Sequence, residues 1–299
     1  MNKRNAIRES FGDRSFLMAM YVILILIVIS ILYPLLHILA ASFSNPQDVI
    51  SGAVTIFPAH PTVMAYETLF KNSQVYTGYA NTLFYTVVGT AVQVLFTVLL
   101  AYPLSRKEFV GRKVLMMAIL LTMFFEGGLI PTYLIVKYLH ILDTRWALII
   151  PKALFVWQVI IAVTFFRTSI PDEIHESAQL DGCSDAGFLW RIVLPLSKPI
   201  IAVLILMYAV ADWNSYFDAL IYLTKSELFP LQLVLRNILV LSQVSQLSPS
   251  VAYQMRRLHG LSDLLKYALI VVSSAPILIF YPFVQKHFVK GMMIGSIKG

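Results

Sequence analysis

Two stretches of this 299-residue chain carry residue types at spacings that suit binding or force transmission. The first is "YAVADWNSYFDALIY", in which Asp212, Trp213, Asn214, Tyr216 and Asp218 lie in an otherwise apolar run. Trp213, Tyr216 and Phe217 stand at i, i+3 and i+4 and share one helical face, where rings can stack on the apolar faces of sugars. Asn214 beside them can donate to and accept from hydroxyls. An ionisable group in an apolar segment is costly and marks a functional candidate, so Asp212 and Asp218 join the set. The alternative is an aromatic belt at a membrane interface, with the aspartates half in water.

The second stretch, "ESAQLDGCSDAGFLWRIVLPLSKP", places Glu176, Asp181, Asp185, Arg191 and Lys198 between two hydrophobic segments. Other chemistries find no support in the sequence. The six histidines form no metal-ligand spacing, and no G-x-x-x-x-G-K-[ST] stretch exists to cradle a nucleotide. The single Cys183 excludes an intrachain disulfide framework. No cofactor is expected on this chain.

The elements that must position these residues are membrane spans. The chain is 58% hydrophobic and 13% charged, with a mean hydropathy of +0.75, against about 25% charged residues in soluble domains. Its net charge of +7 sits in short clusters beside apolar runs, which orient membrane helices and do not suggest nucleic acid. Apolar stretches long enough to cross the hydrocarbon occur at 16–43, 82–104, 114–138, 146–166, 199–223 and 265–283. The expected fold is all-α, a polytopic membrane protein of six transmembrane helices.

The first stretch is longer than a signal-peptide core and is kept as a span. Basic residues at 3–14, the "SRKEFVGRK" loop and the lysine-bearing tail put both termini on the cytoplasmic side. The organisation expected is a cytoplasmic segment 1–15, a six-helix transmembrane domain 16–284 and a cytoplasmic tail 285–299. Exterior loops fall at 44–81 and 224–266, and a cytoplasmic loop at 171–199. "FFEGGLIP" should break the third span at Gly127, Gly128 and Pro131, as a kink or as unwound backbone lining a cavity.

The loop at 171–199 reads as helix, elbow, helix. Pro171 suits a first helical position, Asp172 and Glu173 fall in the first turn, and Gly182 can take the left-handed conformation that ends the helix. Ser184 can cap a second helix that Pro195 ends. Ile174, Ser177 and Ala178 form a narrow face of small residues flanked by carboxylates. Such a knob fits another protein's cleft, or folds back on its own bundle.

In spacing and order, Glu176, Ala178, Asp181, Gly182, Ile192, Leu194 and Pro195 resemble the "EAA" loop of membrane subunits of bacterial ATP-binding-cassette importers. Ser177 and Cys183 depart from that pattern as small-for-small changes. Beyond the loop, "NTLFYTVVGTAVQVLFTVLLAYPLSR", "EGGLIPTYLIVKYLHILDTRWALIIP", "DWNSYFDALIYL" and "QKHFVKGMMIGSIKG" resemble the second permease subunit of carbohydrate importers, similar to the shorter membrane subunit of the maltose importer. Within that family the resemblance is to the branch associated with complex oligosaccharides, including uronate-containing ones.

The resemblance implies a type I importer fold and half of a heterodimeric pore in the bacterial cytoplasmic membrane. It implies a second permease subunit, two cytoplasmic ATPase subunits that use ATP and Mg, and an extracytoplasmic sugar-binding protein. Glu176, Ser177, Ala178, Asp181, Gly182, Leu194 and Pro195 would then dock on an ATPase subunit. The tail, through Gly291, Gly295 and Lys298, would reach between the ATPase subunits, the alternative being a disordered end. An ion-coupled secondary transporter is the competing function, since Asp212 would suit ion coupling.

Overall fold

The computed structural model describes residues 11–244 and 265–279. The tail residues Gly291, Gly295 and Lys298 and the stretch "SQLSPSVAYQ" (245–254), which reads as a flexible tip of the exterior loop, lie outside the described residues. Among the described residues every regular element is helical. The helices in chain order are α1 (Phe11–Ser42), α2 (Pro46–Ile50), α3 (Met64–Lys71), α4 (Ser73–Ser105), α5 (Arg112–Phe124), α6 (Leu129–Tyr138), α7 (Trp146–Ile149) and α8 (Val156–Ser169). They are followed by α9 (Asp172–Leu180), α10 (Asp185–Phe188), a π-turn (Leu189–Val193), α11 (Leu194–Leu196), α12 (Lys198–Trp213), α13 (Phe217–Tyr222), α14 (Leu231–Val244) and α15 (Leu265–Ile279).

The chain divides into two compact units, one comprising Met1–Lys71 with Ile238–Val272 and the other Asn72–Asn237 with Ser273–Gly299. In the first, α1 is apolar all round, with a mean hydropathy of 2.9 over its best window, and that window is fully exposed. A helix with no polar face and no protein cover is a membrane span. Ala40, Ala41 and Val54 form a small core near its end, and Ser42 Oγ lies 2.8 Å from the Tyr66 hydroxyl.

The second unit is built on α4, the other unbroken helix long and apolar enough to cross a membrane. Asn72 caps it by accepting from the Gln74 N–H at 2.9 Å. The other expected spans are bent: α5 and α6 meet at 114°, α7 and α8 at 51°, and the helix Asp185–Leu196 meets α12 at 82°. Two to five spans therefore satisfy length and composition among the described residues. The sharpest bend falls at the Gly127–Gly128 break, where Gly128 has φ +81°. "FFEGGLIP" thus unwinds the chain well beyond a plain kink.

Lipid tails are as apolar as leucine, so helices inside a membrane associate through close packing and polar contacts. The seam between α4 and α12 shows both. Thr86, Thr90, Gln93 and Thr97 lie at spacings of four, three and four on one face of α4. On α12, Ile200, Leu204, Tyr208 and Asp212 repeat every four residues, and all four are buried. Thr97 Oγ1 is 2.6 Å from the Tyr208 hydroxyl, and Gln93 Nε2 donates to Asp212 Oδ1 at 3.2 Å. A Cβ on Gly89 would stand 2.6 Å from Asp212 Oδ2, so the approach at this level requires glycine. Toward the Arg106 end the seam becomes a dry core of Ala101, Leu104, Phe166, Val193 and Leu204.

The Ser73 end of α4 holds the segment that follows α13. Asn81 Nδ2 donates to the Glu227 carbonyl at 2.6 Å, the Tyr85 hydroxyl to the Leu228 carbonyl at 2.8 Å, and the Leu231 N–H to Thr82 Oγ1 at 2.8 Å. "LFPLQLVLRNILVL" reads as an amphipathic helix, and α14 is that helix, with Leu231, Leu233, Val234 and Leu235 buried.

Candidate functional site

The elbow at 171–199 folds as local chemistry dictates. Helix α9 starts after Pro171 with Asp172 and Glu173 in its first turn, and Gly182 follows it with φ +76°. The Cys183 N–H returns to the Ala178 carbonyl at 2.9 Å, closing the turn. Ser184 Oγ accepts from the Gly187 N–H at 3.2 Å and caps α10.

Glu176, Ser177, Asp181 and Gly182 are exposed, whereas Ala178 is 8% exposed and packs in the core. The face read as Ile174, Ser177 and Ala178 is therefore divided, with Ala178 and His175 turned inward. His175 stacks edge-on against Phe188 with ring centres 4.8 Å apart, which anchors α9 to α10. The most exposed apolar side chain of the elbow is Leu180, 90% exposed, which the sequence reading did not single out. Its signal was available, since Leu180 stands beside the Asp181 carboxylate of the "QLDG" turn and off the buried His175–Ala178 stripe.

The second helix ends at Leu196, one residue past Pro195. The chain continues to Leu196 because the preceding turn widens to a π-turn, in which the Leu194 N–H bonds the Leu189 carbonyl. A proline lacks the N–H for an α-turn and its ring strikes the carbonyl four residues back. Widening the turn removes both conflicts. Leu194 is half-buried against the core and Pro195 is exposed.

Lys107, just past α4, pairs with Asp172 at 2.7 Å and ties that helix's end to the start of α9. The pairing holds the Asp172 carboxyl below the usual carboxylate range. A carboxylate depressed in the fold contributes above its unfolded value of about 3.9 and loses that contribution as pH falls through the folded value. Amide protection of α9 should therefore hold from neutral pH to about pH 5 and drop below about pH 4. In Lys107→Ala this pH dependence should shrink, which hydrogen exchange across that range measures.

The other candidate group sits at the α12–α13 junction. Asp212 is 9% exposed and faces α4; its Oδ2 and Gln93 Oε1 are buried without a partner among the described residues. Trp213 is also buried, its ring edge-on to Tyr79 and its Nε1–H donating to the Ser273 carbonyl at 2.9 Å. Asn214 is exposed with its amide bonded to the Val210 carbonyl at 2.8 Å, and Tyr216 is exposed. Asp218 is ion-paired with Lys152, which also donates to Ser215 Oγ at 2.7 Å. The structure therefore separates the five residues: Asp212 and Trp213 turn into packing, Asn214 and Tyr216 turn outward, and Asp218 is neutralised by Lys152.

Beside them, Asp143 at φ +54° accepts from the Thr224 N–H at 2.5 Å, the Thr224 hydroxyl at 2.6 Å and the Lys225 N–H at 3.2 Å. These bonds hold its carboxyl below the usual range. They also fix the turn before α7 to the end of α13. Among the described residues no cluster of three or more metal-ligating side chains occurs.

Residues 78–294 match the profile of the binding-protein-dependent transport system inner membrane components. The chain belongs to that family. Its members are transport permeases, and the helical architecture described above is the type I importer fold of the family. Among curated relatives, the protein LplC of Bacillus subtilis is 45% identical over 266 residues, covering 89% of each chain. The polygalacturonan/rhamnogalacturonan transport system permease YtcP of the same organism is 40% identical, covering 96% of this chain and 99% of its own. A chain of a solved bacterial ABC transporter involved in import of the acidic polysaccharide alginate superposes with a TM-score of 0.86 at 33% identity. That match covers 95% of this chain and all of the solved one. The ion-coupled alternative is not favoured by this membership.

Proposed function

We propose that this permease forms half of the translocation pathway of an ATP-driven importer in the bacterial cytoplasmic membrane, and that its cargo is an acidic, uronate-containing oligosaccharide. The observation that carries the cargo class is the pair of near full-length similarities, one to a polygalacturonan/rhamnogalacturonan permease and one to a chain of an alginate importer. A second permease subunit completes the pore, two ATPase subunits use ATP and Mg, and an extracytoplasmic binding protein delivers the sugar.

In this reading the Arg106 end of α4 and the elbow lie on the cytoplasmic side, as do both termini. Glu176, Ser177, Leu180, Asp181 and Gly182 form the surface that enters an ATPase cleft. Ala178, Leu194 and Pro195 support it from behind. Gly291, Gly295 and Lys298 of the tail reach the ATPase subunits. On the sugar side, Asn214 and Tyr216 offer an amide and a ring to the cargo. Asp212, Trp213 and Asp218 hold the shape of that junction, and the Lys152 pairing keeps the Asp218 carboxylate from repelling a polyanion.

Uptake in a strain lacking the chain tests the cargo. The deletion should abolish growth on and uptake of oligogalacturonides while leaving neutral maltooligosaccharides untouched, and the intact chain should restore it. Restored uptake of neutral oligosaccharides alone would overturn the acidic cargo. Failure of ATPase subunits to co-purify with the chain would overturn the importer assembly.

A further inference from the structure

Arg106 is 5% exposed, yet among the described residues its Nε and Nη2 have no hydrogen-bond partner and no carboxylate pairs with it. Its guanidinium lies 5.5 Å from the centre of the Tyr102 ring and 5.7 Å from that of Phe188. Aromatic faces offset part of the cost of desolvating a cation and leave its hydrogen-bonding capacity unused. Buried polar groups are normally satisfied, so a cation left this way calls for a ligand.

The space for one adjoins it. Arg106 lines a cavity of about 630 Å³ at the end of α4. Leu99, Val110 and Leu189 give the cavity apolar walls, and Glu108 and Asp185 bring carboxylates to it. Both carboxylate residues are exposed, and so is Val110. The cavity thus brings together a buried cation, apolar walls and two exposed carboxylates, of which Asp185 also lies 3.4 Å from His175 Nε2.

We propose that this cavity binds the headgroup of a zwitterionic membrane phospholipid, phosphatidylethanolamine. The phosphate accepts from Arg106, the ammonium two carbons away is met by Glu108 and Asp185, and an acyl chain covers Leu99 and Val110. The guanidinium fork suits a phosphate diester. A purely anionic headgroup would meet the two carboxylates without compensation. The lipid would thereby fill the gap between the α4 end and the α10 elbow segment. The inference rests on the reading of α4 as a span whose Arg106 end lies at a membrane surface. That reading is checked separately with Lys107→Cys in a Cys183→Ser background, which a membrane-impermeant maleimide should label from one side only.

The test uses the whole complex, purified in mild detergent and offered equal phosphatidylethanolamine and phosphatidylglycerol, with bound lipid counted by native mass spectrometry. The intact complex should retain phosphatidylethanolamine preferentially. Arg106→Met should lower that retention at least threefold, and unchanged retention overturns the proposal. Because Arg106 is buried, the exposed Glu108→Lys serves as a second variant. It should reverse the preference toward phosphatidylglycerol, and an unaltered preference also overturns the assignment. So does a cross-link from Val110→Cys in the Cys183→Ser background to an ATPase subunit in lipid-replete complex, which would give the cavity to the protein partner.

Discussion

Gly182→Val and Glu176→Lys should each reduce ATP-driven uptake at least tenfold, with the protein still inserted and paired with a second permease. A tenfold loss corresponds to about 1.4 kcal/mol of docking or coupling free energy. At Gly182 the cause is conformational, since a Cβ there would meet nothing within 4 Å and the residue sits at φ +76°. A β-branched side chain at positive φ is an outlier, and the elbow re-forms elsewhere. Asparagine tolerates the left-handed region better than other residues. Activity should therefore follow the order Gly, Asn, Ala, Val. If Asn performs no better than Val, the left-handed elbow is not what coupling requires. At Glu176 the change reverses a charge on an exposed face, so assembly with the ATPase subunits should fall while the fold is kept. Wild-type ATPase stimulation in Glu176→Lys would sink the docking surface.

Gly89→Val should cost stability of the assembled permease instead of coupling. Its Cβ would sit 2.6 Å from Asp212 Oδ2 and 3.4 Å from Asp212 Cγ. The carboxylate must swing away, which breaks the bond from Gln93 Nε2 and leaves a buried group unpaired, at about 1–3 kcal/mol. Overpacking at the seam adds about 1–3 kcal/mol. The double variant Gly89→Val with Asp212→Ala removes the obstruction. It should recover at least half of the lost thermal stability, as a double-mutant cycle would show. Strict additivity of the two changes would mean that the glycine's close approach to Asp212 does not matter.

The parts of this protein that were legible in its sequence are the ones governed by neighbours along the chain. Pro171 with Asp172, Gly182 and Ser184 announce a start, an elbow and a cap, and each stands in that role. Gly127, Gly128 and Pro131 announce a break, and α5 and α6 part at 114°. What escaped was decided by residues far away. Trp213 reads as an exposed stacking platform by spacing alone, but the Ser273 carbonyl, 60 residues on, takes its N–H. Asn81 looks like an ordinary polar residue in a span until the carbonyls of Glu227 and Phe229 close on it. The period of Thr86, Thr90, Gln93 and Thr97 was present in the letters. It had no meaning without knowing that Asp212 and Tyr208 face it. Which face of an apolar helix is covered is a tertiary property, because an apolar environment lies on both sides.

The π-turn at Leu189–Val193 makes the length of this segment unusually unforgiving. One surplus residue is stored in the turn, and Pro195 is compatible with the helix only while it is there. A single-residue deletion anywhere in the turn would restore the ordinary pitch and drive the proline ring against the carbonyl four residues back. It would also rotate α9 by about 100° relative to α12. Substitutions in this stretch can be absorbed one side chain at a time, whereas a change in residue count would misdirect the elbow as a whole. Homologous segments exchanged between permeases should therefore be cut outside it.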